Sequence, residues 1–411
     1  MTRTTDNVWL SRFALLTAVA TLVLICFGGL VTSHGAGMAV PDWPNTFGYN
    51  LFFFPVSQWV GGIFYEHTHR LVASGVGLLT TILAVWLWLK ESRRGLRWLG
   101  VIAFLSVVLQ GVLGGLRVIL FKDELGIVHA ALGQLFFVLT CSIALFTSRW
   151  LSTNPACLWS TLADQRRLRR LFLFTTILIF AQLILGATMR HQHAGLAIPD
   201  FPGAYGRVWP ALDADSIARY NQNRMEVNAV NAITAFQIVL QMAHRILALV
   251  ILLLVSGSAW LARRRLGRSH LLAKISGAWF GLILAQVLLG AATVWTGKSA
   301  DIATAHVAVG ALSLMIGTLL AILTISGSVP VAKRERIQEP APAIGDPESE
   351  LVQRGAGCQP ADAEKPMAGL SNRLERARSP GRQDPSSVAV LRRVDACPDL
   401  RSVEQPLDMP G

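Results

Sequence analysis

Four histidines of this chain lie about one helical turn inside the ends of hydrophobic segments, and they form two pairs of similar spacing. His69 and His129 are 60 residues apart, and His244 and His306 are 62 residues apart. A lone histidine inside a membrane usually makes an interhelical hydrogen bond, because its desolvation must be compensated. Two matched pairs on facing helices instead favour bis-imidazole ligation of a haem iron. The pattern therefore predicts two haem sites with these four residues as iron ligands.

The elements that must carry these histidines are membrane helices. Apolar residues make up 52% of the 411 residues and charged residues 15%, and the mean hydropathy is +0.46. A helix needs roughly 20 apolar residues to cross a bilayer, and it satisfies its own backbone in lipid. Eight segments meet this requirement: 11–32, 66–89, 98–119, 127–148, 170–189, 236–262, 271–295 and 303–325. We therefore expect an all-α polytopic membrane protein.

The distribution of Lys and Arg predicts the orientation of these helices. The turns after the second, fourth and sixth helices are rich in Arg, with Lys90 in the first of them, whereas the first outer loop, 33–65, contains neither Lys nor Arg. The positive-inside rule then places both termini in the cytoplasm of a multi-pass protein of the cell (inner) membrane. Arginines in the fifth loop weaken this pattern without reversing it. The net charge of +12 reflects topology and a basic tail, so we expect no nucleic-acid partner.

The chain is an internal duplication of a four-helix unit. Shared landmarks recur in the same order: AGMAVPDWP from Ala36 and AGLAIPDFP from Ala194, His-Arg at 69 and 244, and QxxxG from Gln110 and Gln286. An even number of helices per unit makes the copies parallel, so the four histidines share one depth near the outer face. We predict two tandem, parallel four-helix bundles, 1–150 and 151–330. A disordered cytoplasmic tail, 331–411, follows them because its composition cannot support a core.

Two other interpretations of the histidines are less favourable. A zinc ion would need four ligands at one point, whereas separate helical units supply two imidazoles to each site. An electron wire across the bilayer would need haems at both depths, and these histidines share one depth. Electrons would therefore enter and leave on the outer side.

Three residues near the ligands are candidates for further roles. Arg70 and Arg245 follow ligands in both copies, and a guanidinium group suits a haem propionate. The alternative is ordinary snorkelling of an arginine at a helix end. Glu66 lies three residues before His69, and aligning the copies places Gln241 opposite it. This carboxylate could take a proton or stabilise positive charge, although a glutamate near a helix start is also favoured by the helix dipole.

The remaining polar residues receive structural interpretations. Asp42 and Asp200 are expected to fold their loops as turn or capping residues, and Gln110 and Gln286 to form interhelical hydrogen bonds. Five other histidines, none of which has a histidine counterpart in the other copy, are expected to be solvated or interfacial. They are His34, His67, His191, His193 and His270.

The combination of Glu66-x-x-His69-Arg70, His129, His244-Arg245 and His306 in a duplicated eight-helix chain resembles the haem A synthase family over roughly residues 10–326. The resemblance implies an oxidoreductase that converts a ring methyl of haem O to the formyl group of haem A by successive hydroxylations. It implies that His69 and His129 bracket the substrate haem with Glu66 as the catalytic carboxylate. In the other half, His244 and His306 would ligate haem b. The first outer loop lacks the cysteine pair that some members carry.

The resemblance also implies partners for the protein. Haem O synthase would supply the substrate, and a terminal oxidase or its assembly factors would receive the product. The electron acceptor is unidentified, and a homo-oligomer is left open. Two alternatives remain from the residues themselves: a di-haem b protein that passes electrons between outer-side partners, and a haem carrier for oxidase assembly.

Overall fold

The protein is described by a computed structural model over residues 7–153, 162–223 and 232–326. The predicted tail, 331–411, lies outside the described residues. Within them the structure is helical, without strands longer than an isolated bridge. The helices are α1 (Val8–Ser33), α2 (Gly61–Lys90), α3 (Arg94–Leu120), α4 (Asp123–Thr147), α5 (Arg149–Thr153), α6 (Leu162–His191), α7 (Ala214–Gln222), α8 (Ala235–Leu266), α9 (Leu271–Trp295) and α10 (Ala300–Ser326).

Eight of these helices are long and apolar enough to cross a membrane. They correspond one to one to the eight predicted segments, so the prediction of an all-α polytopic membrane protein is confirmed. Most of them begin several residues earlier than the hydropathy indicated. The reason is that polar residues at the boundaries, such as Asp123 and Glu124 in α4, continue the helix beyond its apolar stretch.

The eight long helices pack as two rings of four. In the first ring α1 packs against α2 and α4, and α3 packs against the same two helices. In the second ring α6 and α9 each pack against α8 and α10. Helices α2 and α4 therefore occupy opposite corners of the first ring, and α8 and α10 occupy opposite corners of the second. This packing is consistent with the predicted tandem of four-helix bundles.

Each ring has its own apolar core. Leu83, Leu87 and Ile143 are buried in the first, and Phe172 and Trp279 are buried in the second. Large apolar side chains on the outward faces of the same helices, such as Leu78 and Leu253, stay exposed. A helix that is apolar on all sides suits a lipid environment, in which the exposed leucines meet hydrocarbon rather than water.

The loops that follow α1 and α6 fold alike. The carboxylate of Asp42 accepts hydrogen bonds from the backbone amides of Phe47 and Gly48, both at 2.8 Å. Asp200 accepts from the equivalent residues, Tyr205 at 2.7 Å and Gly206 at 2.9 Å. The predicted turn role of Asp42 and Asp200 is therefore confirmed.

Hydrogen bonding also affects the charge state of the first turn. Burial alone would raise the pKa of Asp42, but the amide hydrogen bonds from Gly48 and Phe47 outweigh burial. The pKa of Asp42 therefore lies below its ordinary value.

The second loop contains a helix that the sequence analysis did not predict. Helix α7 begins after Asp213, whose side chain accepts a hydrogen bond from the Ser216 amide and caps the helix. The ring of Tyr220 on this helix stacks on Tyr205 at 3.5 Å between ring centroids. An Asp followed by an acidic first turn is a capping signal, but a helix of nine residues is too short for a periodicity search to detect.

Candidate haem sites

The four predicted ligands lie on the diagonally opposed helices of the two rings. His69 belongs to α2 and His129 to α4, which stand at opposite corners of the first ring. His244 on α8 and His306 on α10 are placed in the same way in the second ring. A group held between two such imidazoles would lie along the diagonal of a bundle. The sequence predicted the helices that carry the ligands, and the packing decides that each pair is diagonal.

Each imidazole packs against a glycine of the preceding membrane-spanning helix. A Cβ atom added to Gly28, Gly114, Gly186 or Gly290 would lie 3.2, 3.5, 3.4 or 3.2 Å from the Cε1 atom of the adjacent ring. The rings concerned are those of His69, His129, His244 and His306 in the same order. A methyl group at Gly28 or Gly290 would be tighter than ordinary van der Waals contact, so these two glycines set the ring positions most strictly. We call these four glycines the seat glycines.

One ring nitrogen of each of the four ligands has no protein partner among the described residues. The Nδ1 atom of each ring is buried without a hydrogen-bond partner. An unpaired polar group at membrane depth costs free energy, and four equivalent imidazoles that make no side-chain hydrogen bond are free to serve as ligands. Two imidazoles from opposite helices are the donor set that a six-coordinate haem iron takes from a protein. The residues present therefore fit a haem in each ring.

A bare metal ion is a poorer match to the part of the chain that the structure describes. Among those residues no three His, Cys, Asp or Glu side chains come together as a metal cluster. Each ring offers two imidazoles, and a porphyrin would supply four further nitrogen ligands to an iron.

Three of the four ligand histidines accept a hydrogen bond at the backbone from a glutamine side chain of a neighbouring helix. In each case the amide nitrogen donates to the carbonyl oxygen of the ligand itself. The pairs are Gln110 to His129 at 3.1 Å, Gln182 to His244 at 2.9 Å and Gln286 to His306 at 2.9 Å. The predicted interhelical role of Gln110 and Gln286 is confirmed, while Gln182 was missed. We call these three residues the clamp glutamines.

Glu66 and Gln241 occupy equivalent, buried positions and make equivalent contacts with the loops. The Val40 amide donates to Oε2 of Glu66 at 2.9 Å, and the Ile198 amide donates to Oε1 of Gln241 at 2.6 Å. Gln241 additionally donates to the carbonyls of Gly195 and Ile198. Glu66 thus holds the loop that follows α1, and Gln241 holds the loop that follows α6. The difference between them is charge, because only Glu66 carries a carboxylate.

Arg70 compensates this charge. Its guanidinium group lies 2.7 Å from Oε1 of Glu66 and also donates to the carbonyls of Val40, Asp42 and Asn45. The side chain is 11% exposed and that of Glu66 is 5% exposed, so the ion pair is largely removed from solvent.

Arg245 holds the second loop without an ion pair to Gln241. Its terminal nitrogens donate to the carbonyls of Asp200 and Gly203, both at 2.7 Å. Both Arg70 and Arg245 thus use their terminal nitrogens on loop carbonyls. The propionate-binding role of these two arginines stays a prediction.

Two of the other histidines do not fit the solvated or interfacial interpretation. His67 is completely buried between the rings of Phe54 and Trp59, and its Nδ1 atom lies 3.1 Å from the hydroxyl of Thr46. The side chain of His191 is 7% exposed and lies 3.8 Å from Asp123. The first loop folds back over the start of α2 and covers His67, a tertiary contact that hydropathy could not indicate. His34 and His193 are exposed, as expected.

Two arginines near the sites were not predicted to be functional. Arg190 near the end of α6 donates to the carbonyl of Gly29 at 2.9 Å and to the hydroxyl of Ser33 at 2.5 Å, both on α1. Arg117 on α3 lies 3.7 Å from Asp123 at the start of α4. An arginine inside an apolar segment is itself a signal of function or pairing, and this signal could have identified both.

Comparisons with known proteins agree with this architecture. The family model described as "Cytochrome oxidase assembly protein" matches residues 11–318. A "Heme A synthase" from Geobacillus kaustophilus is 28% identical over 309 residues, which is 72% of this chain and 86% of the relative. A "Heme A synthase" from Halalkalibacterium halodurans is 27% identical over 77% of this chain and 96% of the relative. The same name belongs to a protein of Shewanella oneidensis that is 26% identical over 76% of this chain and 94% of the relative. Since the family match spans the whole helical region, this chain belongs to the cytochrome oxidase assembly protein family.

Proposed function

We propose that this protein is a haem A synthase, a membrane oxidoreductase that oxidises a ring methyl of haem O to the formyl group of haem A. The family and the names of its relatives support this assignment. The observation that carries it is the set of four imidazoles, each with one ring nitrogen that has no protein partner among the described residues, on the opposed helices of two rings. The four imidazoles recur at equivalent positions in both rings, and their buried Nδ1 atoms make no hydrogen bond that would assign them to helix packing.

The two halves take different haems in this proposal. The half formed by 1–150 binds the substrate between His69 and His129, and the half formed by 151–330 holds haem b between His244 and His306. The contrast between Glu66 and Gln241 supports this division, because the two side chains make the same loop contact and differ in charge. A reaction that removes electrons and protons from a methyl group benefits from a nearby carboxylate, whereas a resident cofactor has no such need.

The residues of the first half perform three tasks in the reaction. Gly28 and Gly114 seat the two imidazoles and so orient the substrate. Glu66 places a negative charge beside the site, where it accepts a proton or stabilises positive charge that develops on the substrate. Arg70 holds that carboxylate and the loop above it in one position. The hydrated aldehyde that results from successive hydroxylations loses water to give the formyl group.

The second half serves electron transfer. His244 and His306 would hold haem b, which would supply a one-electron redox centre. Gln182 and Gln286 fix the backbone of both ligands and keep their separation constant. Electrons leave on the outer side, since all four ligands lie at one end of the bundles. The acceptor is a protein or small molecule on that side.

The cellular setting follows from the reaction. We place the protein in the cell membrane with both termini in the cytoplasm. Haem O synthase provides its substrate, and an oxidase of the cytochrome c oxidase type, or an assembly factor for it, receives haem A. Both haems are hydrophobic, so transfer within the membrane avoids their exposure to water.

Pigment extraction after co-expression with a haem O synthase tests the proposal. We expect chromatography to show haem A in cells that carry this chain and only haem B and haem O in cells without it. Accumulation of haem B and haem O alone, with folded protein present, would contradict the enzyme assignment. It would favour a di-haem b electron-transfer protein or a haem carrier. The Glu66→Gln variant separates the enzyme from both alternatives, because it abolishes haem A formation in an enzyme and should matter little in an electron carrier or a haem carrier.

A further inference from the structure

The pattern of clamp glutamines has one exception, and it falls on the proposed substrate site. Each clamp glutamine lies four residues before a seat glycine, so both face the same neighbouring helix one turn apart. Gln110 precedes Gly114, Gln182 precedes Gly186 and Gln286 precedes Gly290. In α1 the residue four positions before Gly28 is Leu24. Leucine cannot donate a hydrogen bond, so this helix pair lacks the clamp.

The contacts around Leu24 confirm the exception. Its side chain packs against the apolar core of the first ring. Within the described ranges no side chain donates a hydrogen bond to the carbonyl of His69, whereas the other three ligand carbonyls each accept one. At the level of its ligand, α2 is therefore joined to α1 only by packing, including the contact between Gly28 and the His69 ring.

Packing alone is a weak connection between membrane helices. Lipid chains are as apolar as leucine, so two helices gain little by exchanging lipid contacts for leucine contacts. A hydrogen bond from a side-chain amide to a ligand carbonyl resists both sliding and separation of the pair. Among the four ligand-bearing helix pairs, all of which are described, α1 and α2 can therefore separate with the smallest loss.

The surroundings indicate which helix moves. The end of α1 is tied to the second half, because Arg190 donates to Gly29 and Ser33. Helix α2 is tied instead to its own loop through Glu66 and Arg70. Helix α2 and the loop 40–45, whose Trp43 also packs against Gly115 of α3, can thus shift as one body relative to α1.

We propose that the first site exchanges its haem by separation of α2 from α1, with His69 as the ligand that is released first and Leu24 as the position that permits it. The inference rests on the proposed function, in which the first site takes up haem O and releases haem A in every turnover while haem b stays. The clamp glutamines are positioning residues that retain a haem, and their absence at one position sets which ligand exchanges.

Haem release from the purified full-length protein in detergent tests this proposal. The protein is loaded with haem b and haem O and mixed with an excess of an apo-globin. The release rate of each haem is then measured from the absorption bands of that haem. Interhelical hydrogen bonds in membranes are worth about 0.6 kcal/mol on average and about 1.7 at most, which is about three- to twentyfold in a rate. We expect Leu24→Gln to slow haem O release by this factor. Leu24→Met, which keeps volume without adding a donor that reaches a carbonyl, should leave the rate unchanged.

The reciprocal variant tests the clamp in the second half. Gln182→Leu installs the residue that α1 carries, and it should accelerate haem b release by the same factor while haem O release stays constant. An unchanged haem b release rate in Gln182→Leu would overturn the proposal, and so would an unchanged haem O release rate in folded Leu24→Gln. If Leu24→Gln does not fold, the Gln182→Leu measurement decides alone. Failure of the proposed function would show differently, as the absence of haem A in co-expressing cells whatever the release rates.

Discussion

The two halves of the molecule share their backbone design and differ in what they bury beside the haem sites. Both place histidines on opposed helices, seat them on glycines and close the site with a loop that is held by an Asp turn. The first half buries an ion pair, Glu66 with Arg70. The second half buries a neutral amide, Gln241, and adds helix α7 above its loop.

This comparison shows that one copy of a duplicated fold can gain a charge at a position whose structural contact is kept in both copies. The hydrogen bond that holds the loop is the same in both copies, since Glu66 and Gln241 each accept from the residue before a proline. A change from amide to carboxylate preserves that bond and adds a charge. The charge is compensated by Arg70, whose counterpart Arg245 donates to loop carbonyls and lies over the ring of Phe201. Reactivity could thus be added to one copy without a new fold.

The largest expected effects separate the two sites by their ligands. His244→Ala or His306→Ala should remove the co-purifying haem b completely, because one imidazole cannot hold a six-coordinate low-spin iron. His69→Ala should leave haem b in place and remove bound haem O. The absorption spectrum and pigment analysis of purified protein measure both. Full haem b content in the His244 and His306 variants would refute the assignment of the halves.

The next test exchanges the two equivalent side chains. Glu66→Gln should abolish haem A formation while both haems stay bound, because Gln241 shows that this fold accommodates an amide there. The reverse change, Gln241→Glu, should not create a second reactive site. In this proposal the second half holds a resident cofactor rather than a substrate, and Arg245, which follows position 241 by four residues as Arg70 follows Glu66, could pair with the new carboxylate. If Glu66→Gln formed as much haem A as the unaltered protein, the carboxylate would have no catalytic role.

Removal of the two arginines should have unequal effects on stability. Arg70→Met leaves the buried Glu66 carboxylate unpaired, which is expected to cost about 3–5 kcal/mol. Arg245→Met removes hydrogen bonds to two carbonyls and is expected to cost about 1–3 kcal/mol. Thermal unfolding in detergent measures the difference. The double variant with Arg70→Met and Glu66→Gln should recover part of the loss, and no recovery would argue against the ion pair.

The smallest effects concern the seat glycines. Gly290→Ala places a methyl group 3.2 Å from the His306 ring, and Gly114→Ala places one 3.5 Å from the His129 ring. The first must displace the imidazole by a few tenths of an ångström, whereas the second is in ordinary contact. We expect a shifted low-spin spectrum of haem b for Gly290→Ala and an unchanged spectrum of the first site for Gly114→Ala. Equal shifts would show that the seats do not position the rings.

Much of the fold could be predicted from local patterns. Hydropathy predicted all eight membrane helices, and the repeated landmarks predicted the tandem arrangement with which the ring packing agrees. The predicted turn role of Asp42 and Asp200 and the interhelical role of Gln110 and Gln286 are confirmed because these residues recur at matching positions. Helix α7 and the burial of His67 were missed, since both depend on how one loop folds over the bundle.

Composition and spacing alone predicted the class of the protein, the number of its membrane helices, the duplication and the four candidate haem ligands. These properties are local or periodic, because a bilayer imposes the same length and apolarity on every segment that crosses it. Only the tertiary structure decided that the ligand pairs are diagonal, that Arg70 pairs with Glu66, and that Leu24 interrupts the pattern of clamp glutamines. Each of these depends on which faces of two distant helices meet, and a single sequence does not specify that rotation.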